Sequence, residues 1–153
     1  MPLRTGSELP ALCGVADWIN GEPTSQELEG KPLLVHFWSL GCHICHDVAA
    51  EVASWQAEYG PRGLAVVSVH QPRGLAELDV AAVTADASGP MGIAWPCAID
   101  NRHAIVGRFE NQFVPAYYLF DGEGKLVHRQ AGDRGFERLH AKMEELLALR
   151  AAA

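Results

Sequence analysis

The chain has 153 residues, 48% hydrophobic and 20% charged, with a formal net charge of −7 and a pI near 5.4. That length and balance describe one globular domain over residues 1–153, long enough to bury a sizeable core. The acidic surplus argues against nucleic acid or an anionic membrane surface as a partner, since both require basic patches. No stretch approaches the ~20 apolar residues of a transmembrane helix.

Residues 1–30 scatter Gly, Pro, Ser and Thr around one apolar patch, Val15 to Ile19, which reads as a loop-rich segment with a short strand. Met1 to Pro10 contains no apolar run of the kind found in signal peptides, so a cytoplasmic location is expected. In that reducing compartment a pair of nearby cysteines reads as catalytic rather than structural.

Lys31 to Trp38 is nearly unbroken apolar sequence, the pattern of a central strand covered on both faces. Ser39-Leu40-Gly41 makes a turn, and Cys42 opens a helix expected to run to about Tyr59, with Val48, Ala49, Val52 and Trp55 on its inner face. Leu64 to Val69 is a second buried strand, giving a βαβ unit and a parallel pair. Gln71 to Gly92 is broken by prolines and glycines, with weak helical character from Glu77 to Ala87. Pro96 to Asp100 reads as a short strand and His103 to Phe109 as a short helix. Ala116 to Phe120 and Lys125 to Ala131 are strands joined by the turn Asp121-Gly122-Glu123-Gly124. An amphipathic helix from Gly135 to about Leu149 turns Leu139, Met143, Leu146 and Leu147 inward. Of Tyr117 and Tyr118, strand alternation sends one to the core and one to a surface.

The chemistry concentrates in Cys42-His43-Ile44-Cys45. Two thiols at i and i+3 at a helix start share one face and can close a small disulfide ring. The partial positive charge of a helix N-terminus favours thiolate over thiol. Cys42 is therefore placed to attack a disulfide, and Cys45 to resolve the mixed disulfide that results.

Phe37-Trp38 followed by Cys42-X-X-Cys45 resembles the thioredoxin superfamily. The wider run, Trp18-Ile19-Asn20-Gly21, Lys31 to Ser39, Cys42 to Cys45 and Val114-Pro115-Ala116-Tyr117-Tyr118, is similar to its TlpA/ResA-like branch, in particular to small soluble members of the YkuV type. The resemblance covers roughly Leu9 to Leu149. It implies an α/β thioredoxin fold, a three-layer α/β/α arrangement on a mixed central sheet, with the branch's helix–strand insertion in the middle portion. It also implies a cis Val114–Pro115 bond facing the cysteines, with the Val114 backbone free to pair with substrate; sequence alone would expect trans.

Four residues are expected to tune the site. His36 stands where thioredoxins carry a buried aspartate that accepts a proton near the second cysteine; it is either a base or an inert core histidine, and Glu51 is an alternative acceptor. His43 and Ile44 replace the Gly-Pro of reducing thioredoxins. A charged His43 beside Cys42 would stabilise its thiolate and raise the potential above thioredoxin's value of about −270 mV. Trp38 is either a lid over Cys45 or core. Cys97 reads as a buried inert thiol, with a Cys13–Cys97 disulfide disfavoured by a reducing compartment.

The expected function is thiol–disulfide exchange on protein substrates, as a reductant. The redox-active disulfide would need no organic cofactor and no metal, only an external electron donor such as one of the thioredoxin-reductase type, and a monomer is expected. Two rivals share these residues. A thiol peroxidase of the same fold would show Pro-x-x-x-Thr-x-x-Cys, but Pro32 lies ten residues before Cys42 with no threonine between. Cys42 to His46 also matches C-x-x-C-H, a haem attachment signature, or half of a zinc site. Met91 and Met143 lack the context of a second axial ligand, and no second paired motif accompanies the cysteines.

Overall fold

β2 (Leu33–Trp38) is the strand around which the others assemble, because every one of its six residues is buried. In the computed structural model, which describes residues 2–152, β2 lies parallel to β3 (Ala65–His70) and antiparallel to β5 (Ala116–Phe120). β3 lies parallel to β4 (Cys97–Ile99). The edges are antiparallel: β1 (Asp17–Ile19) on β4 and β6 (Leu126–Ala131) on β5. The six-stranded mixed sheet thus runs β1-β4-β3-β2-β5-β6.

Alternation along β2 divides the core. Leu34 and Trp38 face one side, where they meet Val52, Trp55 and Tyr59 of α3 (Ala49–Tyr59), Val83 and Ala87 of α4 (Val80–Ser88), and Leu139, Met143 and Leu147 of α6 (Phe136–Ala152). Leu33, Val35 and Phe37 face the other side, covered by Ile105, Val106 and Phe109 of α5 (Ala104–Phe109) and by Leu9, Leu12, Val15 and Leu28 of the N-terminal segment. Leu28 ends α1 (Ser25–Leu28), whose Thr24 cap accepts from Glu27 N–H at 3.1 Å. His140 ties α6 to α3: its Nε2 accepts from Trp55 Nε1–H at 3.0 Å, so its Nδ1–H donates to Tyr59 Oη at 2.9 Å.

Two sequence expectations need correction, and one open alternative, that of Trp38, is decided. The helix beginning at the cysteines is interrupted: α2 (His43–Asp47) and α3 are separated at Val48, whose ψ of 4° leaves the helical range. No proline or glycine marks that break. Tyr117 and Tyr118 are both fully buried, because β5 is an internal strand with both faces covered. Trp38 is also fully buried and donates its indole N–H to Cys97 Sγ at 3.4 Å, so it is core rather than a lid. Burial pushes the Cys97 thiol up to about 12, and neither it nor the exposed Cys13 is paired in a disulfide.

Some polar groups enter the core with partners and some without. Asp100 is fully buried and accepts from the N–H groups of Ala104, Ile105 and Val106 at 2.8–3.0 Å, satisfying the first turn of α5. His36 and His70 are also fully buried. Burial lowers His36 to about 3; burial, followed by the charge of Arg73, lowers His70 to about 4. Both are therefore held neutral in the fold.

Two outcomes follow. Asp100→Ala should cost about 2 kcal/mol or more of unfolding free energy in urea, since it strands three buried donors. Acid should weaken the fold by a defined route. The unfolded chain protonates its histidines near pH 6.5 while the folded chain refuses. The contribution of His36 and His70 is thus complete above pH 6.5 and lost as pH falls toward 4 and then 3. Denaturant titrations between pH 6 and pH 4.5 should show each histidine steepening the slope by about 1.4 kcal/mol per pH unit; His36→Gln should remove one such increment.

Candidate active site

β2 delivers its chain to the carboxyl end of the parallel strands, and the turn that follows places two cysteines at the surface edge. Cys42 is the residue preceding α2, with extended backbone (φ −92°, ψ 103°), and its sulfur accepts from Cys45 N–H at 3.1 Å. A sulfur here occupies the place of the usual serine or threonine cap. Cys42 and Cys45 are joined as a disulfide. Cys42 is 5% exposed and Cys45 fully buried, so of the two residues only Cys42 retains any contact with solvent.

The turn before Cys42 is held tightly. Leu40 N–H donates to His70 Nε2 at 3.0 Å. Gly41 lies against the 3-10 turn Leu75–Leu78: a Cβ at Gly41 would stand 2.8 Å from Glu77 Oε2, so a larger residue would push that carboxylate aside. The disulfide is flanked by exposed apolar side chains, Ile44 (42% exposed) from α2 and Phe113 (64% exposed) from the loop ahead of β5.

That loop brings in the third part of the site. Val114–Pro115 is cis, and Val114 O lies 3.8 Å from Cys42 Sγ. A network of buried amides positions it. Asn111 Nδ2–H donates to Gln71 Oε1 at 2.8 Å and to Phe113 O at 2.9 Å, and Tyr118 O–H donates to Asn111 Oδ1 at 2.8 Å. Gln71 in turn donates its backbone N–H to Trp38 O at 2.8 Å, and its carbonyl accepts from the Ser39 hydroxyl.

His36 lies on the face of β2 that looks toward α3, stacked on Tyr117 with ring centroids 5.7 Å apart. Trp95 Nε1–H donates to Ser68 Oγ at 2.8 Å, and Ser68 Oγ lies 2.8 Å from His36 Nδ1. His36 Nε2 has no partner among the described residues. Burial holds the His36 pKa down to about 3, which makes it a poor proton acceptor. Glu51, the other acceptor considered, is exposed on α3.

His43 does not act as expected. Its side chain is 88% exposed and turns away along the helix to Asp47, 3.3 Å from Nε2 to Oδ2. The histidine that approaches Cys42 is His46, whose Nδ1 lies 2.7 Å from Cys42 O and whose Nε2 lies 2.7 Å from Asp86 Oδ2 on α4. Both its nitrogens are occupied, which leaves none for a haem iron, and the two cysteines of the motif are bonded to one another. Among the described residues no three His, Cys, Asp or Glu side chains gather as a metal-holding group, and no helix is long and apolar enough to cross a membrane.

Of the residues singled out in the sequence, Cys42, Cys45, Ile44, Val114 and Pro115 thus meet at one edge. His36 and Trp38 lie beneath it in the core, and His43 faces solvent. Asp86, Gln71, Asn111 and Phe113 were missed, and His46 was read only as a haem or zinc ligand. Only His46 had a local signal, its position directly after the second cysteine.

The fold and site have close relatives. A model described as the AhpC/TSA family matches residues 5–129. The chain is 40% identical over 147 residues to the thiol-disulfide oxidoreductase YkuV of Bacillus subtilis (strain 168), covering 95% of this chain and 98% of that one. It is 23% identical over 144 residues to the thiol-disulfide oxidoreductase ResA of Bacillus anthracis, covering 94% and 79%. A thioredoxin-like protein solved in solution in its oxidized form superposes with a TM-score of 0.84 at 39% identity, covering 95% of this chain and 98% of that one. With a thioredoxin-like sheet, a CxxC disulfide and a family match across most of its length, this chain belongs to the AhpC/TSA family.

Proposed function

We propose that the protein is a thiol–disulfide oxidoreductase that exchanges disulfides with protein substrates through Cys42 and Cys45. The observation that carries this reading is the Cys42–Cys45 disulfide, with Cys42 slightly exposed and Cys45 fully buried. The names of the relatives, thiol-disulfide oxidoreductases matched along nearly the whole chain, support it.

In the reduced state the Cys42 thiolate attacks one sulfur of a substrate disulfide. The substrate S–S bond breaks, its other sulfur leaves as thiolate and takes a proton, and a mixed disulfide joins Cys42 to the substrate. Cys45, deprotonated, then attacks Cys42 Sγ. The mixed bond breaks, the second substrate thiolate takes a proton, and the enzyme is left as the Cys42–Cys45 disulfide. Two electrons and two protons have passed to the substrate. The Val114 backbone beside Cys42 offers a carbonyl with which an extended substrate segment can pair, and Ile44 and Phe113 offer apolar contact on either side.

In this reading the enzyme works as a reductant in the cytoplasm. No organic cofactor takes part, and the electrons come from an external dithiol donor of the thioredoxin-reductase type. One chain contributes both cysteines and the cis-proline loop, so a monomer suffices.

Cys45→Ser should stop the reaction at the mixed disulfide. Incubated with an oxidised protein such as insulin, it should accumulate a covalent adduct through Cys42 that dithiothreitol releases. Wild type should reduce insulin catalytically and Cys42→Ser should lack both activities. An adduct formed equally well by Cys42→Ser would contradict the assignment of the attacking sulfur.

A further inference from the structure

His46 takes no part in the exchange written above, yet it is held at both ring nitrogens. Nδ1 meets the Cys42 carbonyl and Nε2 meets the Asp86 carboxylate, each at 2.7 Å. A peptide carbonyl and a carboxylate can only accept, so both nitrogens must donate, and a ring with two N–H groups is an imidazolium. The surroundings agree. Burial opposes the charge, but the bond to the Cys42 carbonyl, the bond and charge of Asp86, and the charge of Asp47 together raise the His46 pKa above its ordinary value. The pair is substantially screened from water, with side chains 27% and 14% exposed, and the ring meets Trp38 edge-to-face with centroids 6.4 Å apart.

The arrangement has a direction. The cation faces Cys42, while the carboxylate that holds it lies on the opposite edge of the ring and belongs to a different helix, α4. Arg73 and Glu77 stand against the neighbouring Gly41 as well, so His46 is one of several charged groups around the Cys42 backbone. The His46 charge matters more here because α2 is only five residues long before the break at Val48, so few peptide dipoles line up behind Cys42. His43 leaves the role open, since it is drawn to Asp47 in solvent.

We propose that His46, held as an imidazolium by Asp86, is a positioning residue for thiol–disulfide exchange: it anchors the Cys42 carbonyl and places a positive charge beside the sulfur, favouring the Cys42 thiolate. The inference rests on the exchange function proposed above. A stabilised thiolate stabilises the reduced enzyme, so the pair also makes the disulfide easier to reduce. α4, which packs beside the sheet between β3 and β4, thereby enters the chemistry of the cysteines through one carboxylate.

The test is the pH dependence of iodoacetamide alkylation of Cys42 in the reduced protein, with the potential of the couple measured against glutathione. His46→Gln should raise the Cys42 pKa by about one unit, a tenfold loss of thiolate below it. A tenfold change in the exchange equilibrium corresponds to a potential lower by about 30 mV. His46→Lys, which restores a cation within reach of Asp86, should keep a pKa near that of wild type. Asp86→Asn should shift the pKa upward as His46→Gln does, and it tests the pair with His46 left in place. A His46→Gln profile that superposes on wild type would overturn the proposal. So would a His46→Lys profile displaced as far as that of His46→Gln, or a lowered Cys42 pKa in Asp86→Asn. Insulin reduction by wild type is read separately: its absence would sink the exchange reading, while the thiol titrations would still report on His46.

Discussion

Gln71 joins the two halves of the site, and the rest of the local geometry follows from it. It sits at the end of β3, where its backbone pairs with Trp38 and Ser39 at the end of β2. Its side chain pairs with Asn111, which holds the Phe113 carbonyl one residue ahead of Val114. The segment carrying the cysteines and the segment carrying the cis-proline are distant in sequence, and this buried contact helps to set their separation. Gln71 and Asn111 are each at most 6% exposed, so an amide left unpaired there would cost on the order of 1–3 kcal/mol. That cost makes the loop position stiff, and it keeps the Val114 carbonyl beside the Cys42 sulfur.

Three histidines surround the cysteines, and their burial and hydrogen bonds rather than their proximity decide what each can do. His36 is held neutral by complete burial, with Ser68 Oγ 2.8 Å from its Nδ1. His70 is neutral and accepts from the backbone of Leu40. His46 is doubly donating and charged. Where thioredoxins carry a buried acid beneath the site, this chain has on β2 an imidazole poor at taking a proton, with His46 on the helix that follows Cys42. The proton balance of the two cysteines is therefore set from above by His46 and Asp86 rather than from below.

The central strand, the cysteine pair, the β5–β6 hairpin and the amphipathic last helix were legible because each is a local pattern. The unbroken apolar run of Leu33 to Trp38 allows no exposed face, and Leu139, Met143 and Leu147 keep helical spacing. The short helix α1 was also legible in principle: Thr24 and Glu27 form the pattern of a helix cap, and it went unread among the surrounding loop signals. The remainder was not local. His46 and Asp86 are 40 residues apart, as are Gln71 and Asn111, and no periodicity connects them. Residue type alone placed a charge on His43, whereas the helix geometry gives Asp47 to His43 and Cys42 to His46. The burial of both Tyr117 and Tyr118 depended on β5 being internal to the sheet, which only the strand order reveals.

The account stands on Cys42 and Cys45 being a reversible two-electron couple at a thioredoxin-like edge. The most direct measurement is an equilibrium titration of the protein across defined ratios of reduced to oxidised glutathione, with alkylated peptides read by mass spectrometry. The account predicts a single transition in which both thiols appear together, confined to the peptide containing Cys42 and Cys45, with Cys13 and Cys97 silent. A pair that stays oxidised or reduced at every accessible ratio, or a transition carried by Cys13 or Cys97 instead, would contradict it.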